Sequence, residues 1–547
     1  ADTPPPRFDP PGPGFWTLDR SHYPGGTTPI SEWLISESMP AGFKRVFAEI
    51  GVPAEGIGAE FVNGFMYNRL RPLIGPDKPP RKLPPTIVLK IATRLHPEFR
   101  ARTKRVLANR DERTSVKVAE RWATEMRPRI RQTNLEFQAI DVHSITDEAL
   151  EQHIGALLEH LRVHFELHFW LHGHDLGPVA QYLYAAIGWG LDPVEAIDAL
   201  SGASPTTAAP LATLVELREL VDTAGVTISS LDDVRDVSPD ARRLLDDHLS
   251  EHGNVLATGY DLTAFTLNEL PGVILDSIRT ATTPTTIDHA AVADGLRSRL
   301  AVEQHAEFDA LLVDARSVMD MRDDNGPLVA EWPLGLLRRA LLAAGERLAA
   351  RGALEQPEHA LELTPDEARS IFDRGIPAAS EITARSERRM LLAQFTPPDS
   401  LGEPEPEPPL DAMPEPLATA VATVQVAMEH MGMDGATKAD PMTGAGIGTE
   451  RYVGRARTAK SADDAIEKLE PGDVLVVRAT SPAFNAVLAI AGAVVTANGG
   501  LLSHAAVLAR ELGIPAVVGA VGALEVRDGA TIEVDPVRGA VKVVEPA

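Results

Sequence analysis

One stretch of the chain is too rich in proline to continue a helix or a central strand, and it divides the sequence. From Pro397 to Pro416 the residues read PPDSLGEPEPEPPLDAMPEP. Proline lacks a backbone N–H and fixes its φ angle, so we expect this run to form neither regular helix nor sheet and to stay extended and semi-rigid. We therefore predict a first domain over residues 1–394, a linker with a connecting helix over residues 395–440, and a second domain over residues 441–547.

The region before the linker is predicted to be mainly α-helical. From about Ile30 to Arg389 apolar residues mostly recur at helical spacing, as in ITDEALEQHIGALLEHLRVHFELHFWL. Two helix starts are marked by a threonine that is followed by acidic residues: Thr146, and Thr364 with a proline directly after it. A capping hydroxyl, proline and acids are typical of a first helical turn.

The pattern changes after the linker. LATAVATVQVAMEHMG, which begins at Leu417, predicts a connecting helix that ends near Gly432. DVLVVRAT, GAVVTA, PAVVGA, ATIEVD and GAVKVV then follow as short β-branched runs, with one helix, SHAAVLAREL, among them. The fold class is therefore multidomain: a large, mainly α-helical domain and a C-terminal α/β domain of roughly one hundred residues.

Composition excludes several classes of protein. The 547 residues are 44% hydrophobic and 24% charged, so the chain has enough apolar material for more than one core. Its formal net charge of -26 disfavours nucleic acid and anionic membranes as partners. The absence of cysteine excludes disulfides, thiolate metal sites and thiol nucleophiles.

One long uncharged stretch, Ala479 to Ala509, is interrupted by asparagine, glycine, serine and histidine, so a buried βα unit explains it better than a membrane span. The N-terminus has no basic segment followed by an apolar one, and we predict no signal peptide. A cytoplasmic location is the expectation.

The segment with the clearest chemical pattern runs from Thr496 to Gly519 and reads TANGGLLSHAAVLARELGIPAVVG. It predicts a strand, a Gly-Gly turn, a helix with Ser503 at or near its N-cap, and a second strand. His504 then lies at a helix N-terminus, where unpaired N–H groups and the helix dipole favour a phosphate. An imidazole nitrogen is nucleophilic near neutral pH. The alternative is a histidine that merely begins a core helix.

The glycines of this segment, Gly499 and Gly500, leave the backbone free to approach a phosphate closely. The hydroxyl of Ser503 either caps the helix or contacts a phosphoryl oxygen.

This segment resembles the phosphohistidine signature of the phosphoenolpyruvate-utilising enzymes, which include phosphoenolpyruvate synthase, pyruvate phosphate dikinase and rifampicin phosphotransferase. Matching runs are GDVLVVRATSP and DGATIEVDPVRGAVKV. In that family a swivelling domain carries a phosphoryl group on its histidine between two sites. The resemblance implies that His504 is the carrier and that Arg478, Thr480 and Ser503 contact the phosphate, although packing would equally explain Thr480.

The phosphoryl donor is expected to be bound elsewhere. The sequence has no Walker-type glycine loop, and the helical region lacks the βα alternation that an ATP-grasp fold needs. The run GAGIGTE has no preceding strand and resembles the family's glycine-rich lead-in to the swivelling domain. We expect no phosphoenolpyruvate-binding barrel. The resemblance implies a separate ATP-grasp subunit as partner, which binds ATP and Mg2+.

The N-terminal region resembles the helical substrate domain of rifampicin phosphotransferases and the carrier subunit of two-subunit aryl phosphate synthases, which phosphorylate phenol or 4-methylphenol. FWTLDRSHYPGGTTPI, GYDLTAFTLNELPGVIL, MRDDNGP and RALLAAGERLAARGALEQP carry this resemblance. It implies an enzyme of the dikinase type in a hetero-oligomer, with a small phenolic acceptor. A rifamycin-type antibiotic as acceptor, and a regulatory module without turnover, are the alternatives.

Phosphorylation of a phenol requires a general base. His22, with Asp19 close enough to orient it, is the first candidate, and a surface or turn histidine is the alternative. Arg322, Asp323 and Asp324 form a second candidate group for substrate binding, in which the arginine would meet phosphoryl oxygens. A solvated charge cluster at a helix end is equally compatible with this second group.

His164, His168 and His172 recur every fourth residue, so they share one face of a helix, with His174 and Asp175 just beyond. This spacing is compatible with a zinc site, with the lining of a pocket, or with a packed stripe. We predict no metal site and assign His168 and His172 to the substrate pocket.

Overall fold

The computed structural model describes residues 6–19, 22–23, 25–74, 82–281, 283, 287–406, 408–430, 441–480 and 484–547. The strands are β1 (Trp16–Leu18), β2 (Ala54–Val62), β3 (Phe65–Pro72), β4 (Ser400–Leu401), β5 (Ala445–Ile447), β6 (Tyr452–Ala459), β7 (Val474–Val477), β8 (Ala493–Thr496), β9 (Ala516–Val518), β10 (Thr531–Asp535) and β11 (Ala540–Glu545).

The α-helices are, in chain order, α1 (Pro29–Ile50), α2 (Thr86–Leu95), α3 (Pro97–Glu112), α4 (Thr114–Arg121), α5 (Arg127–Gln138), α6 (Asp147–Gly188), α7 (Pro193–Asp198), α8 (Pro205–Ala224), α9 (Leu231–Val237), α10 (Pro239–His252), α11 (Pro271–Thr280), α12 (His289–Ser298), α13 (His305–Ser317), α14 (Met319–Asn325), α15 (Trp332–Ala350), α16 (Pro365–Ala368), α17 (Ala379–Leu392), α18 (Glu415–His430), α19 (Ala462–Lys468), α20 (Asn485–Leu488) and α21 (His504–Leu512). None of the helices within the described ranges is both long and apolar enough to cross a membrane.

The chain folds into two compact units, each built from separate parts of the sequence. The first unit comprises residues 1–174, 260–264 and 325–422. The second comprises residues 175–259, 265–324 and 423–547. A predominantly helical chain with a C-terminal mixed sheet agrees with the multidomain fold class expected from the sequence.

The first unit contains, besides its helices, a four-stranded antiparallel sheet in the order β2-β3-β1-β4 that the sequence analysis did not predict. Its β2–β3 hairpin turns at Asn63 and Gly64, which both have positive φ angles (54° and 77°). An Asn-Gly pair between β-branched and aromatic residues is the usual chemistry of a two-residue hairpin turn. The hairpin signal was therefore present in the sequence as FVNGFMY.

The prediction that the proline-rich run forms neither helix nor sheet was wrong at three points. The run contains strand β4, a 3-10 helix at Leu410–Ala412 and the first residues of α18, which begins at Glu415. Ser400 and Leu401 form β4, which pairs with the edge strand β1. Farther along, Glu405 forms an ion pair of 3.1 Å with Arg69, whose side chain is buried. Proline is tolerated beside an edge strand, because only one side of that strand is hydrogen-bonded. The linker is thus fastened to the first unit.

Helices α1 and α6 pack closely in the first unit because glycines allow it. A Cβ atom placed on Gly42 of α1 would lie 2.6 Å from the carbonyl oxygen of Glu166 and 2.7 Å from Cβ of Phe169 in α6. In α6, a Cβ atom placed on Gly173 would lie 2.4 Å from the side chain of Val46 in α1. These distances leave no room for a methyl group, so each glycine sets the separation of the helices.

The second unit joins helices α7 to α13 to a seven-stranded sheet in the order β11-β10-β6-β7-β8-β9-β5. Strands β6 to β9 are parallel, whereas β5, β10 and β11 pair antiparallel. Both faces of the sheet are buried, since Leu475 and Val494 belong to one core cluster and Val474 and Val495 to another. This explains the unbroken apolar runs of β7 and β8.

The five strands and the helix predicted after the linker are all present, as β7 to β11 and α21. Strand β6 and helix α19 were not predicted, and the glycine-rich run from Gly444 contains the edge strand β5. The connecting helix is α18, and its predicted end near Gly432 lies outside the described residues.

Both predicted helix starts are confirmed. The hydroxyl of Thr146 accepts a hydrogen bond from the N–H of Ala149 (3.2 Å) at the start of α6. Thr364 and Glu367 form a reciprocal capping box at the start of α16.

Candidate active site

His504 is the first residue of α21 in the second unit, and Ser503 precedes it as the N-cap residue. Gly513 ends the helix in the left-handed conformation (φ 67°). The predicted turn, helix start and helix end are therefore present. The imidazole is attached at a helix terminus, where backbone N–H groups lack intrahelical partners and the dipole is positive.

The ring of His504 contacts the residue that follows β7. A hydrogen bond of 2.9 Å joins its Nδ1 atom to the hydroxyl of Thr480, which follows β7. Burial lowers the pKa of His504 to about 3 because the charged form loses hydration. The ring is therefore neutral at neutral pH, and a nitrogen with a free lone pair is a competent nucleophile.

Two hydroxyl groups beside this turn are buried and have no hydrogen-bond partner in the part of the chain that the structure describes: Ser503 Oγ and Thr496 Oγ1. Both border Gly499, whose φ angle is +120°, since a Cβ there would lie 3.0 Å from Ser503 Oγ and 3.6 Å from Thr496 Oγ1. Ser503 makes no side-chain cap. Leaving a hydroxyl unpaired in the interior costs about 1–3 kcal/mol, and a ligand oxygen would remove that cost.

The remaining phosphate candidates differ in their surroundings. Gly500 is buried, and its carbonyl accepts a hydrogen bond from the N–H of Ser503 (2.9 Å), which closes the turn before the helix. Arg478 follows β7 with an exposed side chain, while its carbonyl accepts from the N–H of Asn498 (2.7 Å).

Arg322, which the sequence analysis assigned to the substrate, lies beside the histidine segment. Its Nη2 donates a hydrogen bond of 3.0 Å to the carbonyl of Leu502, and its Nη1 is buried without a partner among the described residues. Asp323 instead accepts a hydrogen bond of 3.0 Å from Thr207 at the start of α8, and burial raises its pKa. Asp324 is half-buried. Arg322 is thus the member of this group placed next to His504.

Helix α21 is also fastened to α7 within the second unit. The guanidinium of Arg510 is buried and forms an ion pair of 2.9 Å with Asp198, the last residue of α7. The neighbouring Glu511 accepts a hydrogen bond of 3.1 Å from the N–H of Gly202. The C-terminal helix that begins with His504 is therefore docked on the helices of its own unit.

His22 and Asp19 form a dyad in the first unit. Nδ1 of His22 donates to one carboxylate oxygen of Asp19 (2.9 Å), and the backbone N–H of His22 donates to the other (2.7 Å). Burial opposes protonation, but Asp19 and Glu331 outweigh it and raise the pKa of His22. The side chain still keeps 45% of its surface exposed. The surroundings of this partly exposed ring are called the His22 recess below.

Aromatic rings border this recess. The ring of Tyr260 lies 5.1 Å from that of His22 and 6.4 Å from that of Tyr23, and Tyr23 meets Phe61 edge to face at 5.6 Å. Such rings offer apolar surface with defined stacking geometry to an aromatic ligand.

Histidines of α6 also lie near His22. His168 donates from Nδ1 to the side-chain oxygen of Asn325 (3.1 Å), and its ring meets that of His172 at 4.5 Å. Burial, with smaller contributions from His172 and His22, lowers the pKa of His168 well below its usual range. The structure therefore brings His22, Asp19, His168 and His172 together in one unit.

The histidines of the α6 row make separate contacts. His164 is bonded through Nδ1 to the carbonyl of His160 (2.8 Å), and His174 contacts the hydroxyl of Ser115 (3.3 Å). Within the described ranges no group of three or more histidine, aspartate or glutamate side chains could hold a metal ion. The row contributes instead to packing and to the recess.

Two residues near His504 and His22 were not predicted from the sequence. Thr496 is the last residue of the buried strand β8, and Glu331 is buried near His22. The sequence signal for Glu331 was its position inside the apolar run GPLVAEWPLGLL, because burying a carboxylate costs free energy unless the charge is paired.

Comparison with known proteins adds to this geometry. Residues 469–539, which include His504, match the family model described as PEP-utilising enzyme, mobile domain. A phosphoenolpyruvate synthase of Aeropyrum pernix is 46% identical over 89 residues, which is 16% of this chain and 11% of the relative. The uncharacterised phosphotransferase YvkC of Bacillus subtilis is 31% identical over 243 residues, 44% of this chain and 27% of the relative.

Chondramide synthase of Chondromyces crocatus is 32% identical over 261 residues, 45% of this chain but 6% of the relative. The chain thus spans less than a third of the length of each of these relatives. The matches show that the segment containing His504 is similar to the mobile domain of phosphoenolpyruvate-utilising enzymes. The finer resemblance to aryl phosphate synthases stays a prediction.

Proposed function

We propose that this chain receives a phosphoryl group on His504 and transfers it to the hydroxyl of a small phenolic compound, such as phenol or 4-methylphenol, to form an aryl phosphate. The observation that carries the proposal is the neutral imidazole of His504. It is held by Thr480 beside two unpaired buried hydroxyls, in a segment that matches a phosphoenolpyruvate-utilising mobile domain.

The first step loads the histidine. In the tautomer with hydrogen on Nδ1, that N–H donates to Thr480, and the unprotonated nitrogen Nε2 is the nucleophile. Nε2 attacks the phosphorus of the donor, the bond from phosphorus to the donor's leaving oxygen breaks, and a phosphoramidate forms. The hydroxyls of Ser503 and Thr496 and the charge of Arg322 then stabilise the phosphoryl oxygens.

In the second step, the phosphoryl group leaves His504 for the acceptor at the His22 recess. The phenolic oxygen attacks phosphorus, the P–N bond breaks, and its electron pair returns to Nε2 of His504. The proton of the phenol passes to Nε2 of His22, whose Nδ1–H is held by Asp19. The raised pKa of His22 suits a base that must accept this proton.

The donor is proposed to be ATP with Mg2+, bound by a separate ATP-grasp subunit that releases AMP and phosphate. In support, the strands of the described ranges pair in parallel only between β6 and β9, so the helical regions show no βα architecture for a nucleotide.

Transfer to the acceptor is tested with the full chain, ATP, Mg2+ and a co-encoded ATP-grasp protein. We expect 4-methylphenol to yield an aryl phosphate and His504→Ala to yield none. His22→Ala should keep phosphohistidine but lower ester formation roughly a hundredfold, as loss of a general base does. His143→Ala is the matched control, since His143 is an exposed histidine of the same unit.

Each other outcome has a defined meaning. If the chain forms phosphate esters of a rifamycin but of no phenol, the acceptor is an antibiotic. Full ester formation by His504→Ala would refute the relay, and full activity of His22→Ala would remove His22 as the base.

A further inference from the structure

Glu331 is the most deeply buried acidic group near the His22 recess. It ends a π-helical segment, Gly326–Glu331, that leads into α15, and only 2% of its surface is exposed. Its Oε1 atom has no hydrogen-bond partner among the residues that the structure describes. π-Helical turns are rare and occur frequently at functional sites. An unpaired buried carboxyl oxygen on such a turn indicates a partner that binds there.

Glu331 interacts electrostatically with His22, the proposed general base. In its ionised form Glu331 acts electrostatically on both His22 and Tyr23, so all three groups lie within electrostatic range of each other. A Cβ on Gly326 would lie 3.0 Å from Oε1, so a glycine borders the carboxyl.

The protonation state of Glu331 follows from its burial, which raises its pKa to about 8, with an opposing effect of His22. A carboxyl with a raised pKa keeps its proton below that value. At neutral pH it is therefore a carboxylic acid, which can donate a hydrogen bond from its O–H and carries no charge.

We propose that Glu331 is a ligand-binding residue of the His22 recess, where its carboxylic acid donates a hydrogen bond to the hydroxyl oxygen of an uncharged phenol. This inference rests on the proposed function and names the acceptor class of the same site. As His22 takes the phenolic proton, the O–H of Glu331 stabilises the negative charge that develops on the oxygen.

The recess also disfavours acceptors that bear a carboxylate. Asp19 and Asp261 both act electrostatically on Tyr23, and Asp261 acts on Glu32, so acidic groups occur on several sides. A second negative charge on the ligand would be repelled, whereas an uncharged ring can lie against Tyr260. We therefore expect 4-methylphenol to bind in preference to 4-hydroxybenzoate.

The hydrogen bond has a pH limit. His22 and Tyr23 interact electrostatically with Glu331 itself. The next ionisable groups act on these two residues: Asp19 on both, Asp261 on Tyr23, and His168 with His22. Above a pH of about 8 Glu331 loses its proton and can no longer donate. Phenol binding should then weaken as pH rises through this value, while glutamine at this position keeps a donor at every pH.

The test measures binding of 4-methylphenol and 4-hydroxybenzoate to the full chain by ligand-observed NMR and calorimetry. We expect wild type to prefer 4-methylphenol by roughly tenfold or more, and Glu331→Leu to lose roughly fivefold to tenfold, the effect of one buried hydrogen bond. Glu331→Gln should bind like wild type at neutral pH and lack the decline above it. The exposed Glu159 supplies the control, Glu159→Gln.

The inference is overturned if wild type binds no phenol, if 4-hydroxybenzoate binds equally well, or if folded Glu331→Leu binds like wild type. If Glu331→Leu does not fold, the inference is tested by the pH dependence of phenol binding to Glu331→Gln. Infrared difference spectra give a second test, because wild type at neutral pH should show a protonated carboxyl band that Glu331→Gln lacks. His504→Ala should bind phenol normally, so failure of the phosphoryl relay is distinguished from failure of this inference.

Discussion

At the scale of single residues, the chemistry of His504 depends on how its ring is held. The bond between its Nδ1 and the Thr480 hydroxyl restrains the ring plane, and Nε2 is the nitrogen proposed to carry the phosphoryl group. Burial keeps the ring neutral, so the nucleophile needs no base to activate it. The two unpaired hydroxyls supply donors for oxygens that arrive with the phosphoryl group.

Replacement of Thr480 tests this arrangement. Thr480→Val keeps the shape of the side chain but removes the hydrogen bond, a loss of about 1 kcal/mol. We expect the rate of His504 phosphorylation to fall roughly fivefold, measured by quenched-flow labelling. Thr480→Ser keeps the hydroxyl and should retain most of the rate. Equal rates for valine and threonine would show that Thr480 only packs against the ring.

Residue positions were predictable where a local pattern determines them. The Gly-Gly turn and the following Ser-His start of a helix sufficed to place His504 at the N-terminus of α21. Thr496 could not be identified in this way, because its burial and lack of a partner arise only from tertiary packing. For Glu331 the only local signal was an acidic residue inside an apolar run. The pairing of His22 with Asp19 was predictable, since the two residues are three positions apart in the sequence.

At the scale of elements, the packing of α1 on α6 depends on glycines that no helical pattern reveals. Gly42→Ala would insert a methyl group where a carbonyl oxygen lies 2.6 Å away, so the helices must separate. We expect a loss of about 1–3 kcal/mol in the free energy of unfolding, as for other overpacked cores. Chemical denaturation measures it.

The matched control is Gly155→Ala, a glycine of α6 with no atom within 4 Å of its Cβ position. There alanine should stabilise the chain by about 0.5–1 kcal/mol, because glycine is a poor helix former. Equal effects of the two substitutions would contradict close packing at Gly42.

A second element contact is the docking of α21 on α7. Asp198→Asn leaves the buried Arg510 without its counter-charge, which we expect to cost about 2 kcal/mol. Hydrogen exchange in α21 should accelerate accordingly. Glu195→Gln, on the same helix, removes an exposed ion pair to Arg299 and should change little. Unchanged exchange in Asp198→Asn would mean that the ion pair does not hold α21.

Strands and helices could be predicted from the spacing of apolar residues, whereas the pairing of strands was harder to predict. The apolar runs of β7 to β11 predicted those strands, because strands buried on both faces are continuously apolar. The β2–β3 hairpin was overlooked despite its Asn-Gly turn, since the surrounding residues were assigned to a helical region. Strand β4 could not be predicted, because an isolated two-residue pairing depends on the edge that β1 offers.

At the scale of the whole molecule, the chain combines the proposed phosphohistidine segment in one unit with the His22 recess in the other. Its net charge of -26 fits a protein that binds a small uncharged acceptor rather than nucleic acid. The proposed donor lies in a separate subunit, so the chain with ATP and Mg2+ alone should leave His504 unmodified.

The central claim is that His504 carries the phosphoryl group, and site-resolved mass spectrometry under alkaline conditions tests it most directly. The full chain is incubated with ATP, Mg2+ and the co-encoded ATP-grasp protein, beside His504→Ala. The account predicts one acid-labile phosphate, located on His504 and absent from the variant. A phosphate on any other residue, or none on wild type under these conditions, would contradict it.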